Sequence, residues 1–415
     1  MTVQTSNELQ TFDQRAVIKV CGIGGGGGNA IGRMIQAKLE DVEFITINTD
    51  AQALKNSPAG NRLQIGAQLT NGLGSGAKPE IGFQAAEEDR ERIREVLSGA
   101  DMVFLTAGLG GGTGTGASPI VAEEARNTGA LTVAIVTLPF SFEGKERMAN
   151  ALKGLAELEK HVDTLIVVPN DRVSALSHES MSFLSAFSMA DEVLSNGVRA
   201  ISELITIPGL INLDFADVRT IMQARGRALM GIGTAEGDER SVRAAEEAIV
   251  CPLLEQSNIN GAMGVIVNIK GGCDIRMREV QNAVNAVKKA AHPDANIIFG
   301  AVIDENERQE VQVTVIAAGF PKGVSEAFLT QEPAPAREET KSPAPQPAPK
   351  PTSAPAGALK EPPAASKPSA TPREQLLFPD EKTKQSELEP EVPQEPERDM
   401  GIPTFLWKRM QQRKK

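Results

Sequence analysis

The chain has 415 residues, with 54 acidic against 43 basic side chains and a formal net charge of -11. That length exceeds what one hydrophobic core fills, so two folded units are expected, and the acidic balance excludes nucleic-acid binding by the protein as a whole. Three scattered cysteines (Cys21, Cys251, Cys273) form no metal or disulfide pattern, no apolar run is long enough to cross a membrane, and residues 1–15 lack a signal-peptide core. A reducing, cytoplasmic location is the expectation.

After a flexible segment at 1–15, short Val- and Ile-rich runs at 16–23, 43–48, 101–107, 131–137 and 164–168 read as strands. Helical stretches at 84–97, 116–127 and 144–160 separate them. Apolar strands alternating with helices predict an α/β fold with a parallel sheet covered on both faces, whose ligands bind at the carboxyl ends of the strands. Two glycine clusters sit at such ends. The first is Gly22-Ile23-Gly24-Gly25-Gly26-Gly27-Gly28-Asn29; the second runs Gly108-Leu109-Gly110-Gly111-Gly112-Thr113-Gly114-Thr115-Gly116.

A strand that empties through glycines into a helix presents bare N–H groups and the positive end of a helix dipole to an anion. One cluster alone also fits a tight turn where a helix packs on a strand. Two together predict that both loops grip one polyphosphate, with the Thr113 and Thr115 hydroxyls as further donors. No phosphate-binding lysine motif is present, so a Mg²⁺ ion held by phosphate and water is expected. A dinucleotide site is the competing reading: Gly22, Gly24 and Gly27 fit its fingerprint, and Asp50 stands where a ribose-binding acid belongs. It does not require the second cluster.

Glu143 and Arg147, four apart, read as a surface helix pair. Residues 183–205 predict one long helix, ended by Pro208-Gly209. Within it, the Asp191 carboxylate is either a solvated side chain or an acceptor for the N1–H and N2–H of guanine. Asn212, Asp214 and Asp217 follow. They read as a helix cap with first-turn acids; the functional reading is that they position a water for phosphoanhydride hydrolysis. A second unit to about residue 320 mixes helices at 217–225, 240–248 and 276–290 with strands at 264–269, 296–303 and 311–317.

Residues 331–397 hold 16 of the 26 prolines and one aromatic residue, so 321–398 is expected to be a disordered linker. The end, 399–415, joins a short apolar stretch, Ile402 to Trp407, to a basic terminus and looks like a docking peptide. The three histidines, His161, His178 and His292, are isolated and carry no recognisable site.

The heptapeptide 110–116 matches the tubulin signature in full. With 24–29 and 212–217, it makes the chain resemble the FtsZ family of bacterial cell-division GTPases, homologues of tubulin, over about residues 16–320. The resemblance implies a GTP-binding domain at 16–206 that includes the long helix, and a smaller GTPase-activating α/β domain at 207–320. It implies GTP or GDP on Gly24, Gly25, Gly26, Gly27, Gly28, Asn29, Gly111, Gly112, Thr113, Gly114 and Thr115. Ribose and base contacts then fall on Glu143, Arg147, Asn170, Phe187 and Asp191. Asn212, Asp214 and Asp217 become catalytic on the nucleotide of the next subunit in a head-to-tail filament of the division ring. Ile402, Pro403, Phe405 and Leu406 resemble the family's tail peptide for membrane tethers and assembly regulators, with Gly401 where the family often has an acid. Weak contact of the basic end with anionic lipid is a further expectation. A nucleotide-gated scaffold that binds GTP without polymerising is the alternative function.

Overall fold

The computed structural model describes residues 16–174, 182–206, 214–223, 226–254, 259–304 and 309–320, and the structural statements below concern these alone. The linker and tail peptide, with Ile402, Pro403, Phe405 and Leu406, lie outside them, as does Asn212. The first part of the chain runs β1 (Ile18–Ile23), α1 (Gly24–Gln36), β2 (Glu43–Asn48), α2 (Ala51–Asn56), β3 (Asn61–Gln64), α3 (Ala67–Thr70), α4 (Pro79–Glu88), α5 (Arg90–Leu97) and β4 (Met102–Gly108). It continues α6 (Thr113–Asn127), β5 (Leu131–Leu138), α7 (Lys145–Leu158), β6 (Thr164–Pro169), α8 (Asn170–Ser174) and α9 (Phe183–Thr206). The remainder is α10 (Phe215–Met222), β7 (Gly226–Glu236), α11 (Arg240–Ile249), β8 (Gly264–Gly272), α12 (Met277–Ala290), β9 (Asn296–Asp304) and β10 (Glu310–Ala318).

Strands β1 and β5 are buried at every position, as strands covered on both faces must be. The period of two sorts their side chains into two cores. Ile18, Val20, Phe104, Val133 and Ile135 join α1 and α9 on one face; Cys21, Ile23, Leu105 and Val136 join α4 to α7 on the other. Phe104 is fully buried, and cutting such a ring to alanine costs roughly 3–5 kcal/mol.

The strands form one sheet in the order β3-β2-β1-β4-β5-β6-β7-β10-β8-β9. β1 to β6 are parallel. From β1 the chain winds outward to β2 and β3, then returns to β4 on the other side of β1. This places a topological switch point between β1 and β4, where a crevice opens at the carboxyl ends. β7 joins β6 in parallel over Thr164–Ile166 and then pairs antiparallel with β10 along most of its length. The later strands and α11 and α12 enclose a third core. The long helix α9 bears on both parts: Arg199 Nη2 donates to the Ala37 carbonyl at 3.1 Å, and Asn268 Nδ2 donates to the Ala200 carbonyl at 3.1 Å.

Three expectations change. The helix expected at 84–97 is two helices broken at Asp89, whose carboxylate accepts from Gly66 N at 2.7 Å and from Arg92 Nη1 at 2.7 Å. Asp89 leaves the helical conformation (φ -108°, ψ 21°), and its long-range bond to Gly66 ties it at the break. The helix of the second glycine cluster starts at Thr113, three residues earlier than expected. Strand β7 was not anticipated, because Gly226, Gly231 and Gly233 make it read as loop. Its glycines are a packing requirement: a Cβ on Gly231 or Gly233 would collide with the carbonyl oxygens of Ala248 and Ala244 on α11.

Candidate nucleotide site

Strand β1 turns into α1 without a connecting loop. Ile23 is extended, and Gly24 makes the bend at φ 72°, a conformation that favours glycine. Neither α1 nor α6 has a side-chain cap, so their first N–H groups are bare at adjacent strand ends.

The glycines divide into two groups by what surrounds them. A Cβ on Gly22 would meet the Gly27 carbonyl, and one on Gly27 would meet the Thr106 carbonyl of β4. A Cβ on Gly24 would lie 2.8 Å from Gly114 N, and one on Gly26 would lie 3.2 Å from Gly108 N. These four let the first turn of α1 press on β1, β4 and the second loop. By contrast, a Cβ on Gly25 would meet nothing within 4 Å, and one on Gly28 only Thr46 Cγ2 at 3.5 Å. The second loop repeats the division: Gly112, Gly114 and Gly116 abut Ser75, Gly108 and Pro79, while Gly111 is open.

Thr113 and Thr115 are buried with their hydroxyls engaged within the protein. Thr113 Oγ1 lies 2.6 Å from Thr49 Oγ1 and 3.0 Å from Ser75 Oγ, and Thr115 Oγ1 accepts from Gly110 N at 2.8 Å. They hold the shape of the loop.

Beside these helix ends lies a cleft of about 540 Å³. Gly25, Gly28 and Asn29 line one wall, Thr46 and Asn48 another, and Phe187 and Asp191 of α9 a third. Two predicted groups, the glycine loop and the α9 carboxylate, therefore face one space. Glu143 stands on the β5–α7 connection, Arg147 in the first turn of α7 and Asn170 at the start of α8. Glu143 caps its own short turn, accepting from Phe140 N at 2.9 Å, and pairs with Arg147 Nε at 3.0 Å. Arg147 in turn packs on the second loop, where a Cβ on Gly110 would lie 2.8 Å from its Cγ. The Phe187 ring meets Phe140 edge-on at 5.1 Å, tying α9 to this connection. Asn170, at the end of β6, is 5 % exposed and leaves a buried Oδ1 without a hydrogen-bond partner, an acceptor suited to a ligand hydroxyl or N–H.

Arg33 is the residue that sequence reasoning missed. Its Nε meets Asp191 Oδ2 at 3.1 Å, and its Nη2 donates to Ser188 Oγ at 2.6 Å. The signal was available in part: Arg33 follows Asn29 by four residues and shares its face of α1. Burial pushes the Asp191 carboxyl above its usual range, and Arg33 opposes the rise. Asp50, the ribose acid of the dinucleotide reading, instead caps α2, accepting from Gln52 N at 2.8 Å and Ala53 N at 3.1 Å.

Asp214 and Asp217 are exposed and far from the cleft. Asp214 caps α10, accepting from Ala216 N at 3.2 Å, so the cap reading holds. Helix α10 is held at the amino edge of the sheet: Arg219 Nη2 donates to the Gly129 carbonyl, just before β5, at 3.0 Å. Thr164, the first residue of β6, donates to the Met222 carbonyl. The length of β5, roughly 23 Å at 3.3 Å per residue, separates this edge from the glycine loops.

A parallel sheet with two glycine-lined helix ends at its switch point, joined through a long helix to a second α/β layer, defines a nucleotide-binding protein without a phosphate lysine loop. Residues 17–178 match the model of the Tubulin/FtsZ family GTPase domain, and 226–321 match that of the FtsZ family C-terminal domain. An FtsZ dimer from M. jannaschii is 45% identical with a TM-score of 0.71, covering 74% of this chain and 89% of that one. CetZ2 from Haloferax volcanii, solved as a GTPγS-bound protofilament, is 21% identical with a TM-score of 0.64, covering 75% of this chain and 96% of that one, and shares the fold.

The chain belongs to the Tubulin/FtsZ family. It is a GTP-dependent, self-assembling cytoskeletal protein that forms filaments and hydrolyses GTP, with a GTPase domain followed by an activation-like subdomain. None of the described helices is long and apolar enough to cross a membrane.

Proposed function

We propose that GTP binds with its phosphates on the bare N–H groups around Gly25, Gly28 and Gly111, and with its base between Phe187 and Asp191. Asn170 and the Glu143–Arg147 pair face the ribose side. Among the described residues no three His, Cys, Asp or Glu side chains gather to hold a metal. Mg²⁺ would be carried by the phosphates and water, where it would supply the charge neutralisation that a phosphate lysine gives elsewhere.

The observation that carries the mechanism is the separation of the two edges. Glycine loops occupy the carboxyl edge and the acids of α10 the amino edge, so one subunit cannot bring Asp214 and Asp217 to its own nucleotide. Stacked head to tail, one subunit presents these carboxylates, with Asn212, to the nucleotide of the next, where they orient the attacking water. Such a contact does not close on itself and propagates as a filament. Hydrolysis then removes the γ-phosphate at the junction and weakens it. The proposal includes action beneath the membrane at the division site, with the tail peptide binding tethers and regulators.

GTP turnover per subunit, measured against protein concentration with Mg²⁺ and light scattering, tests the shared site. Turnover that appears only above a threshold concentration, together with scatter, is expected. A constant rate per subunit without scatter would mean a self-contained site and would remove Asp214 and Asp217 from it.

A further inference from the structure

We propose that Arg33 is a positioning residue for purine choice: its contact with Asp191 keeps that carboxylate an acceptor-only group facing the base. This rests on the reading that the base lies against Asp191. Guanine offers two donors there, N1–H and N2–H, whereas adenine in the same orientation offers an acceptor, N1, beside a C2–H that is no conventional donor. An ionised carboxylate accepts only, so it suits guanine and meets the adenine N1 lone pair with like polarity; a protonated carboxyl can donate its O–H to adenine N1 and no longer accepts from both guanine donors equally well. The charge of a single side chain therefore decides which purine fits.

The surroundings of Asp191 work against that charge. Its side chain is 17% exposed, and burial favours the neutral acid. The cleft walls facing it are Asn29 and Gln36 from α1, Thr46, Asn48, Asn56 and Ser57 from the β2–α2 side, and Ser188 from α9, all uncharged. Among the described residues lining the cleft, Arg33 is the one cation. It approaches from the side, with Nε at 3.1 Å on Oδ2 and Nη2 on Ser188. Oδ1 is left clear of Arg33, and each carboxylate oxygen can accept more than one donor. The guanidinium, 40% exposed, forms no part of a core, so its replacement leaves the fold intact.

The test measures GDP and ADP affinity of the nucleotide-free full chain by calorimetry from about pH 5.5 to pH 8, a range above the ordinary aspartate value of about 3.9, where only a raised carboxyl still titrates. Diphosphates avoid assembly. The wild type should prefer GDP at every pH. Arg33→Gln should lose part of that preference at low pH and regain it as pH rises, with the GDP/ADP ratio changing by up to about tenfold per pH unit, as for one proton. Arg33→Lys, which keeps the charge, should restore a flat profile. Equal loss for both nucleotides in Arg33→Gln, without pH dependence, would overturn the inference and leave Arg33 a structural contact. Asp191→Asn separates the two layers of argument. If it abolishes the preference while Arg33→Gln does not, only the Arg33 role fails; if it leaves the preference unchanged, the base is not at Asp191 and both readings fail.

Discussion

At the carboxyl edge of the parallel sheet, Gly24, Gly26 and Gly27 are in contact distance of backbone from β4 and the second loop, and Gly22 of the Gly27 backbone in α1. At the amino edge, Asp214 and Asp217 stand exposed on a two-turn helix with an ordinary cap. One edge is defined by packing so close that a methyl group is excluded, the other by charges that touch little of their own subunit. The difference teaches what each half of a split active site needs. The half that grips a polyphosphate must hold several N–H groups in a fixed array, so its geometry is built into the core. The half that acts across a junction needs only to present carboxylates outward.

Substitution at the crowded edge should have the largest effect. Gly27→Val places a branched side chain against the Thr106 carbonyl and the Gly22 backbone. Neither is a flexible side-chain end, so destabilisation above about 4 kcal/mol is expected, seen as lost soluble yield or a collapsed melting transition. A normal melt would show that α1 can move off the sheet, and the contrast between edges would fail.

At the other edge, Asp217→Ala should leave the melting temperature and GTP affinity of the monomer unchanged and lower turnover by about 10²–10⁴-fold. Steady-state hydrolysis at concentrations that saturate assembly reads this directly. Wild-type turnover in polymer would take Asp217 out of the chemistry.

Gly25→Ala sharpens the comparison within one loop. The added methyl meets no protein atom and sits in the first turn of a helix, where alanine is preferred, so stability should hold or rise by up to about 1 kcal/mol. GTP affinity should fall by about tenfold, because the methyl occupies space where a phosphate approaches the backbone. Unchanged affinity in a titration would place the phosphates elsewhere.

This distinction marks the limit of what could be read from the sequence. The α/β class, the apolar strands β4 and β5, and the two loops at strand ends were all legible, because each rests on local pattern. The different roles of Gly25 and Gly27 were not: they depend on the Thr106 carbonyl, which only the β1–β4 pairing brings near. Strand β7 was hidden for the same reason, since Gly231 and Gly233 look like loop until α11 is laid across them. Arg33 escaped because its partner Asp191 lies 158 residues away and nothing local marks the pair. The exposed acids of α10 were legible as a cap but ambiguous as catalysts. Their distance from the cleft is a property of the fold.

The smallest effect separates those two roles at Asp214. As an N-cap its carboxylate accepts the Ala216 N–H, and losing a cap costs about 1 kcal/mol of stability. Asp214→Ala should therefore lower the melting temperature slightly and also lower turnover. Asp214→Asn keeps an oxygen acceptor of the same length and caps as well as aspartate, so its melt should match the wild type. It removes the negative charge, however, so turnover should stay low in the polymer. If Asp214→Asn restores both melt and turnover, the residue is a cap alone, and Asp217 is the carboxylate that crosses the junction. If the melt recovers and turnover does not, the same side chain serves its own subunit as a cap and the next subunit as a charge.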